Sequence, residues 1–233
     1  MAARDLLAVG LIVLSSTACH AVSGAGDFSV SDGGADAGAG AGGQGGAAPA
    51  TCHPPGLVDA FDGDDIDREL WAVQGAPENI GVSRGMLRIT PPPATMAAAW
   101  IGLQSVARYD VKECAVWIRV TAVAAGTTYF KLDHQDGPAI FEVQNGILNM
   151  GVGGEVRETL SYVPPEDFQW WRFRDEGDVL HFETSPDGID WTSQHDVPSP
   201  SFIGDVEVGV GVVPAPTISQ EVEAQFDNLD VQP

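Results

Sequence analysis

From about residue 52 onward, apolar and polar residues alternate with a period of two, and no stretch holds a convincing 3.6-residue apolar period over ten positions. The pattern is clearest in WWRFRDEGDVLHFETSPDGIDW, residues 170–191. Trp171 and Phe173 alternate with Trp170, Arg172 and Arg174, the signature of a strand with two unlike faces. Alternation alone does not say which of Trp170 and Trp171 faces inward. Glu176-Gly177-Asp178 has turn chemistry, after which Leu180 and Phe182 alternate with His181 and Glu183. Ser185-Pro186-Asp187-Gly188 is a second turn: proline presets one dihedral and glycine accepts the left-handed one. Trp191 opens a third strand, so the segment reads as an antiparallel meander.

The same reading extends along the chain. Met86–Thr90 is a strand stopped by Pro91, Pro92 and Pro93, and Ala99–Leu103 is another. Lys112–Ala122 is a long one, with Cys114, Val116, Ile118 and Val120 on one face and Ala115, Trp117 and Arg119 on the other. Thr128–Asp133 and Ala139–Gln144 form a hairpin, and Asn145-Gly146 is a tight-turn signal leading into Ile147–Val152. Val206–Val212 alternates valine with Glu207, Gly209 and Gly211. Glu221–Val231 closes the chain with Val222, Ala224 and Phe226 facing inward. Many short strands without helices predict an all-β fold, a two-sheet antiparallel sandwich, built as one domain over residues 52–233.

The first residues follow different rules. Arg4 precedes the apolar run Leu6–Leu14, which is far shorter than the roughly 20 residues that span a bilayer as a helix. Small residues and Cys19 follow, so residues 1–18 read as a secretory signal peptide. The segment resembles a bacterial lipoprotein signal, with Ala18-Cys19 as the end of its lipobox. That resemblance implies lipidation of Cys19 and attachment to a membrane through the lipid alone. His20, in place of the aspartate that retains lipoproteins at the inner membrane, implies an outer-membrane-anchored protein of the cell envelope, facing the periplasm or the cell surface. Residues 19–51 form a lipidated linker. With ten glycines and nine alanines in 21–51, it buries too little apolar surface to offset its ordering entropy and is expected to be disordered.

Cys52 and Cys114 remain after Cys19, and in an exported chain an even remainder suggests a disulfide; two unpaired cysteines are the alternative. The net charge of −22 repels nucleic acid and anionic membrane surfaces, and no basic stripe for phosphate contacts is present. Most of the carboxylates read as a solvated surface. They leave room for a hard cation such as calcium. The expected assembly is a monomer.

FDGDDIDRELWAV, GMLRI, the 170–191 run and AQFDNLDV occur in that order. Together they resemble the concanavalin A-like lectin/glucanase superfamily of jelly rolls, its laminin G-like members most of all, over residues 57–233. The resemblance implies a jelly-roll fold and, between the first and last strands, one structural Ca²⁺ held by Asp227 with Asp62 as its companion. It implies no single activity, because one fold hosts lectins, hydrolases and adhesion modules.

Gly81-Val82-Ser83-Arg84-Gly85 matches the G-x-S-x-G hydrolase elbow, but that motif needs a helix directly after the serine, and here a strand and three prolines follow. Glucanases of the superfamily carry their carboxylates on one strand as E-x-D-x-x-E, and no such string occurs. Asp133 and Glu142 are the nearest substitute, able to pair across their hairpin. His20, His53, His134, His181 and His195 are scattered without metal-ligand spacing. A carbohydrate site needs aromatic stacking surfaces beside bidentate polar groups. Tyr129, Asp133, Trp170, Arg172, Arg174 and His181 are the candidates, against the plainer reading that the arginines answer neighbouring carboxylates across the sheet. The expectation is a tethered, non-catalytic module binding glycan or another extracellular polymer. A glycoside hydrolase with an unorthodox carboxylate pair and a protein-binding spacer are the alternatives.

Overall fold

The computed structural model describes residues 56–92, 100–163, 165–215 and 222–232. The expected signal peptide, Cys19, the linker and Cys52 lie outside the described residues. In chain order the strands are β1 (Trp71–Gln74), β2 (Ile80–Val82), β3 (Leu87–Ile89), β4 (Ile101–Ser105), β5 (Ala115–Ala122), β6 (Gly126–Asp133) and β7 (Ala139–Gln144). They continue with β8 (Ile147–Val152), β9 (Glu155–Ser161), β10 (Trp170–Glu176), β11 (Val179–Ser185), β12 (Thr192–Pro198), β13 (Glu207–Pro214) and β14 (Ala224–Gln232). The helical elements among the described residues are two short 3-10 turns, Pro77–Asn79 and Pro165–Phe168. None is long and apolar enough to cross a membrane.

The strands make two seven-stranded antiparallel sheets, in the orders β1-β4-β13-β6-β7-β8-β9 and β12-β11-β10-β5-β14-β3-β2. This is the expected sandwich. Each inward face is the apolar half of an alternating strand: Phe130 and Leu132 of β6, Val208, Val210 and Val212 of β13, Val116, Ile118 and Val120 of β5. Phe141 of the first sheet packs against Trp171, Phe173 and Phe182 of the second, with ring centroids 5.7, 5.0 and 5.3 Å apart. This aromatic cluster joins the two layers, and close packing of such large rings dominates a core's energetics.

Trp171 is the inward tryptophan and is fully buried, while Trp170 faces outward. Trp171 can be buried because its indole N–H donates to the Phe168 carbonyl at 2.9 Å. The Asn145-Gly146 turn is as expected, with φ of 53° and 74° closing a two-residue hairpin between β7 and β8. Three expectations shift. Lys112 and Glu113 precede β5 in a turn, with Glu113 at φ 55°. Val222, expected inward, is exposed, since β14 starts only at Ala224. The edge strand β9 was not anticipated: exposed on both faces over most of its length, it has no alternation to read.

Cys114 is buried and disulfide-bonded. Its expected partner, Cys52, is outside the described residues.

Candidate functional site

The structure divides the six candidate ligand residues between two faces. Tyr129 and Asp133 lie on the outward face of the first sheet, and Trp170, Arg172, Arg174 and His181 on the outward face of the second.

On the first sheet, register lines up Gly102, Gly211, Tyr129, Glu142 and Asn149 across β4, β13, β6, β7 and β8. The glycines are required by close approach. A Cβ at Gly211 would stand 2.7 Å from the Tyr129 hydroxyl oxygen, and one at Gly209 would stand 2.9 Å from Cε of Lys131. The side chains of β6 therefore lie flat over the bare backbone of β13. Trp100, just before β4, stacks on Tyr129 with centroids 6.0 Å apart and planes at 26°. Lys131 Nζ lies 4.4 Å from the centre of the Trp100 ring.

Beside this platform Asp133 faces Glu207 directly, as Cα partners on β6 and β13. Gln104 Nε2 donates to Asp133 Oδ2 at 3.3 Å and also to Glu207 Oε2. Each carboxylate has its own cation: Lys131 Nζ is 2.7 Å from Asp133, and Arg108 Nη1 is 3.3 Å from Glu207. The pairing of Asp133 with Glu142 that the sequence left open does not form, because Glu142 pairs with Tyr129 and Asp133 lies four residues further along β6, about 13 Å away along the strand. Glu142 instead accepts from Asn149 Nδ2 at 3.1 Å. The Tyr129 hydroxyl and Trp100 Nε1 are both buried without a hydrogen-bond partner. Burial, and secondarily the charge of Asp133, hold the Tyr129 hydroxyl far above its ordinary titration range.

Trp100, Gln104 and Glu207 were missed as site residues. The available signal was the alternation of Gly209 and Gly211 along β13, which marks a strand face over which something else lies.

On the second sheet, one cross-strand row reads Glu183, Arg172, Trp117, Asp230, and the next Ser185, Trp170, Arg119, Asp227. Arg172 Nε donates to Glu183 at 2.6 Å and Arg174 Nη2 to the same carboxylate at 2.9 Å. Glu183 is buried and answers both arginines, as the plainer reading anticipated. Arg172 also lies 4.0 Å over the Trp191 ring. Trp170 rests on Gly188, where a Cβ would come within 2.9 Å of the indole. His181 Nδ1 is 2.7 Å from Asp196 Oδ1, and Ser193 Oγ donates to that same oxygen at 2.5 Å. The serine thus bonds the acid and not the imidazole, which is not the arrangement of a nucleophilic triad.

Gly81-Val82-Ser83-Arg84-Gly85 is a strand and turn leading into β3, with no helix after the serine. Asp227 is raised in pKa by burial first, with Asp62 as a smaller contributor, and Arg119 Nη1 stands 3.7 Å from its carboxylate. Among the described residues no group of three or more His, Cys, Asp or Glu could hold a metal ion. A cation at Asp62 and Asp227 would therefore need main-chain oxygens to complete its shell of six to eight.

The topology is the concanavalin-like jelly roll. The chain is similar in structure to a β-1,3-glucanase from Mycobacterium marinum, at 15% identity and TM-score 0.55, over 76% of this chain and 98% of that one. It is similar to a family 16 glycosyl hydrolase from Mycobacterium smegmatis, at 14% identity and TM-score 0.54, over 76% of this chain and 99% of that one. A pseudo β-1,3-glucanase and immunostimulatory antigen of Mycobacterium tuberculosis matches at 15% identity and TM-score 0.54, over 76% and 98%. At such identities the likeness is one of fold. No family model matches the chain, and no curated relative matches it.

Proposed function

We propose that this chain is a tethered envelope lipoprotein whose jelly roll binds a glycan or similar extracellular polymer on the outward face of the first sheet, without cleaving it. One observation carries the reading: the stacked Trp100–Tyr129 pair, with two unpartnered polar atoms, stands beside the Gln104–Asp133–Glu207 cluster. Sugars are held by aromatic faces plus a few convergent polar groups, and this face supplies both. A buried polar atom without a partner costs on the order of 1–3 kcal/mol, which a ligand hydroxyl reaching that atom would recover. The fold shared with proteins described as β-glucanases supports a sugar ligand.

Asp133 and Glu207 are also the one pair that favours the hydrolase reading. Facing carboxylates on adjacent strands approach the separation of roughly 5–5.5 Å used by retaining glycosidases. Such an enzyme needs one carboxyl free to protonate the leaving group and the other free to attack, whereas Lys131 and Arg108 each hold one of this pair and Gln104 bonds to both. Binding without turnover is therefore the proposed activity. Polymer binding lost in Trp100→Ala, with no release of reducing sugar, is the supporting result; sugar release abolished in Asp133→Asn would replace it with the hydrolase. The second face, with Trp170, Arg172, Arg174 and His181, is the other place the polymer could lie.

Around this core the reading includes lipid on Cys19, the 19–51 tether, a Cys52–Cys114 bridge closing the start of the domain, an outer-membrane location and a monomeric state. It also includes one calcium at Asp62 and Asp227, which would relieve the repulsion between those two carboxylates. Nucleic acid is no partner of so acidic a chain.

A further inference from the structure

Four of the six tryptophans face outward, and three of these carry one of the chain's own cations. Lys131 Nζ lies 4.4 Å from the Trp100 ring centre, the Arg172 guanidinium 4.0 Å from that of Trp191, and the Arg119 guanidinium 5.9 Å from that of Trp170. The fourth, Trp117, carries none among the described residues. Its neighbour across the β5–β10 pairing is Arg172, but that guanidinium is turned to Trp191 and Glu183. On its other side Trp117 pairs with Asp230 of β14.

Asp230 repeats the asymmetry. Its Oδ2 accepts from the neutral amide of Gln232, its Oδ1 is buried without a hydrogen-bond partner, and among the described residues it makes no ion pair. The carboxylate is half-buried and also feels the Val231 main-chain N–H, but an oxygen shielded from water without a donor is costly. The two residues line a pocket of ≈ 280 Å³ with Trp170, Asn228, Val58 and Ala60. The β14 strand bulges between Asp227 and Asp230, with Asn228 held at φ 47°. A left-handed non-glycine residue inside a strand costs energy and persists where the surrounding structure requires it. Here the bulge brings Asp230 opposite Trp117. Nearby, Asp227 and Asp62 add negative charge, and Arg119 is engaged with Asp227 and Trp170.

We infer that the Trp117–Asp230 pocket binds a protonated primary amine, the ammonium lying against the indole and donating to the Asp230 carboxylate. The aromatic face attracts any cation within about 6 Å of its centre. The unpartnered oxygen requires a donor, which a primary ammonium has and a quaternary one lacks. A single amine-bearing unit suits the volume. The inference is independent of the glycan reading, since it concerns the opposite sheet.

The test is a titration of the purified full chain with n-butylammonium, tetramethylammonium and sodium chlorides at equal ionic strength, following the Trp117 indole N–H resonance. That resonance is identified by its loss in Trp117→Phe. The expected result is saturable binding of n-butylammonium, at least tenfold weaker for tetramethylammonium and in Asp230→Asn, and unchanged in Trp191→Phe. A response equal to that of sodium, or one unchanged in Asp230→Asn, overturns it. Should Asp230→Asn fail to fold, Trp117→Leu decides: retained affinity for n-butylammonium, read by calorimetry, overturns the site.

Discussion

Asp133 and Glu207 stand opposite each other on adjacent antiparallel strands, and the single amide of Gln104 donates to both. Like charges directly opposite on a sheet repel, and here Gln104, Lys131 and Arg108 offset that repulsion. Gln104→Leu removes the shared donor. It is expected to lower stability by about 1 kcal/mol near neutral pH, by urea denaturation. An equal loss in Gln104→Glu, which keeps the volume but offers no donor to its neighbours, is expected as well; full stability in Gln104→Met would mean that the residue acts only through packing.

Gly211→Ala tests whether the aromatic platform depends on a bare strand. The added Cβ would meet the Ile101 carbonyl oxygen at 2.4 Å and the Tyr129 hydroxyl at 2.7 Å. Because backbone is one of the two neighbours, the strain cannot be relieved by a rotamer change. A loss of about 1–3 kcal/mol is expected, with a shift in the Trp100 fluorescence as Tyr129 is displaced.

The neighbouring tryptophans of β10 should behave oppositely. Trp171 is fully buried against Phe141, so Trp171→Ala is expected to cost about 3–5 kcal/mol. Trp170 lies outward over Gly188, and Trp170→Ala is expected to cost clearly less. Similar denaturation midpoints for the two variants would contradict the assigned faces.

Asp227 sets a pH dependence with a definite sign. Its folded pKa is raised above 3.8 by burial first and by Asp62 in part. The folded state therefore holds a proton that the unfolded state has released. Stability falls as pH rises from the unfolded value through the raised one, and stays lower above it. Asp227→Asn should flatten that fall in urea midpoints over the window that opens at about pH 3.8. Asp230, raised in the same direction by burial, keeps a part of it. Calcium at Asp62 and Asp227 would favour the ionised form, so a midpoint raised by calcium and returned by EDTA, only above that window, is the expected result for an occupied site.

What the sequence disclosed follows from range. The β10–β11 hairpin, the Asn145-Gly146 turn and the faces of β5 are set by neighbours a few residues apart, and alternation reports them directly. β9 escaped because an edge strand exposed on both faces has no pattern, and Val222 was misplaced because alternation continued past the true end of its strand. The candidate site was legible only in fragments. Tyr129 and Trp170 look alike as outward aromatics, yet the strand order puts them on different sheets. Asp133 meets Glu207 and Gln104 through pairings distant in sequence, which no local period encodes.

The most direct test of the central claim is the melting temperature of the purified protein against a panel of soluble glycans, repeated for Trp100→Ala and Trp170→Ala. A ligand specific to the native state raises stability by mass action, by about 2.7 kcal/mol at a hundredfold excess over its dissociation constant. The expected result is a rise with particular glycans that Trp100→Ala abolishes and Trp170→Ala leaves intact. A rise that survives Trp100→Ala and disappears in Trp170→Ala would contradict it and move the glycan to the second sheet.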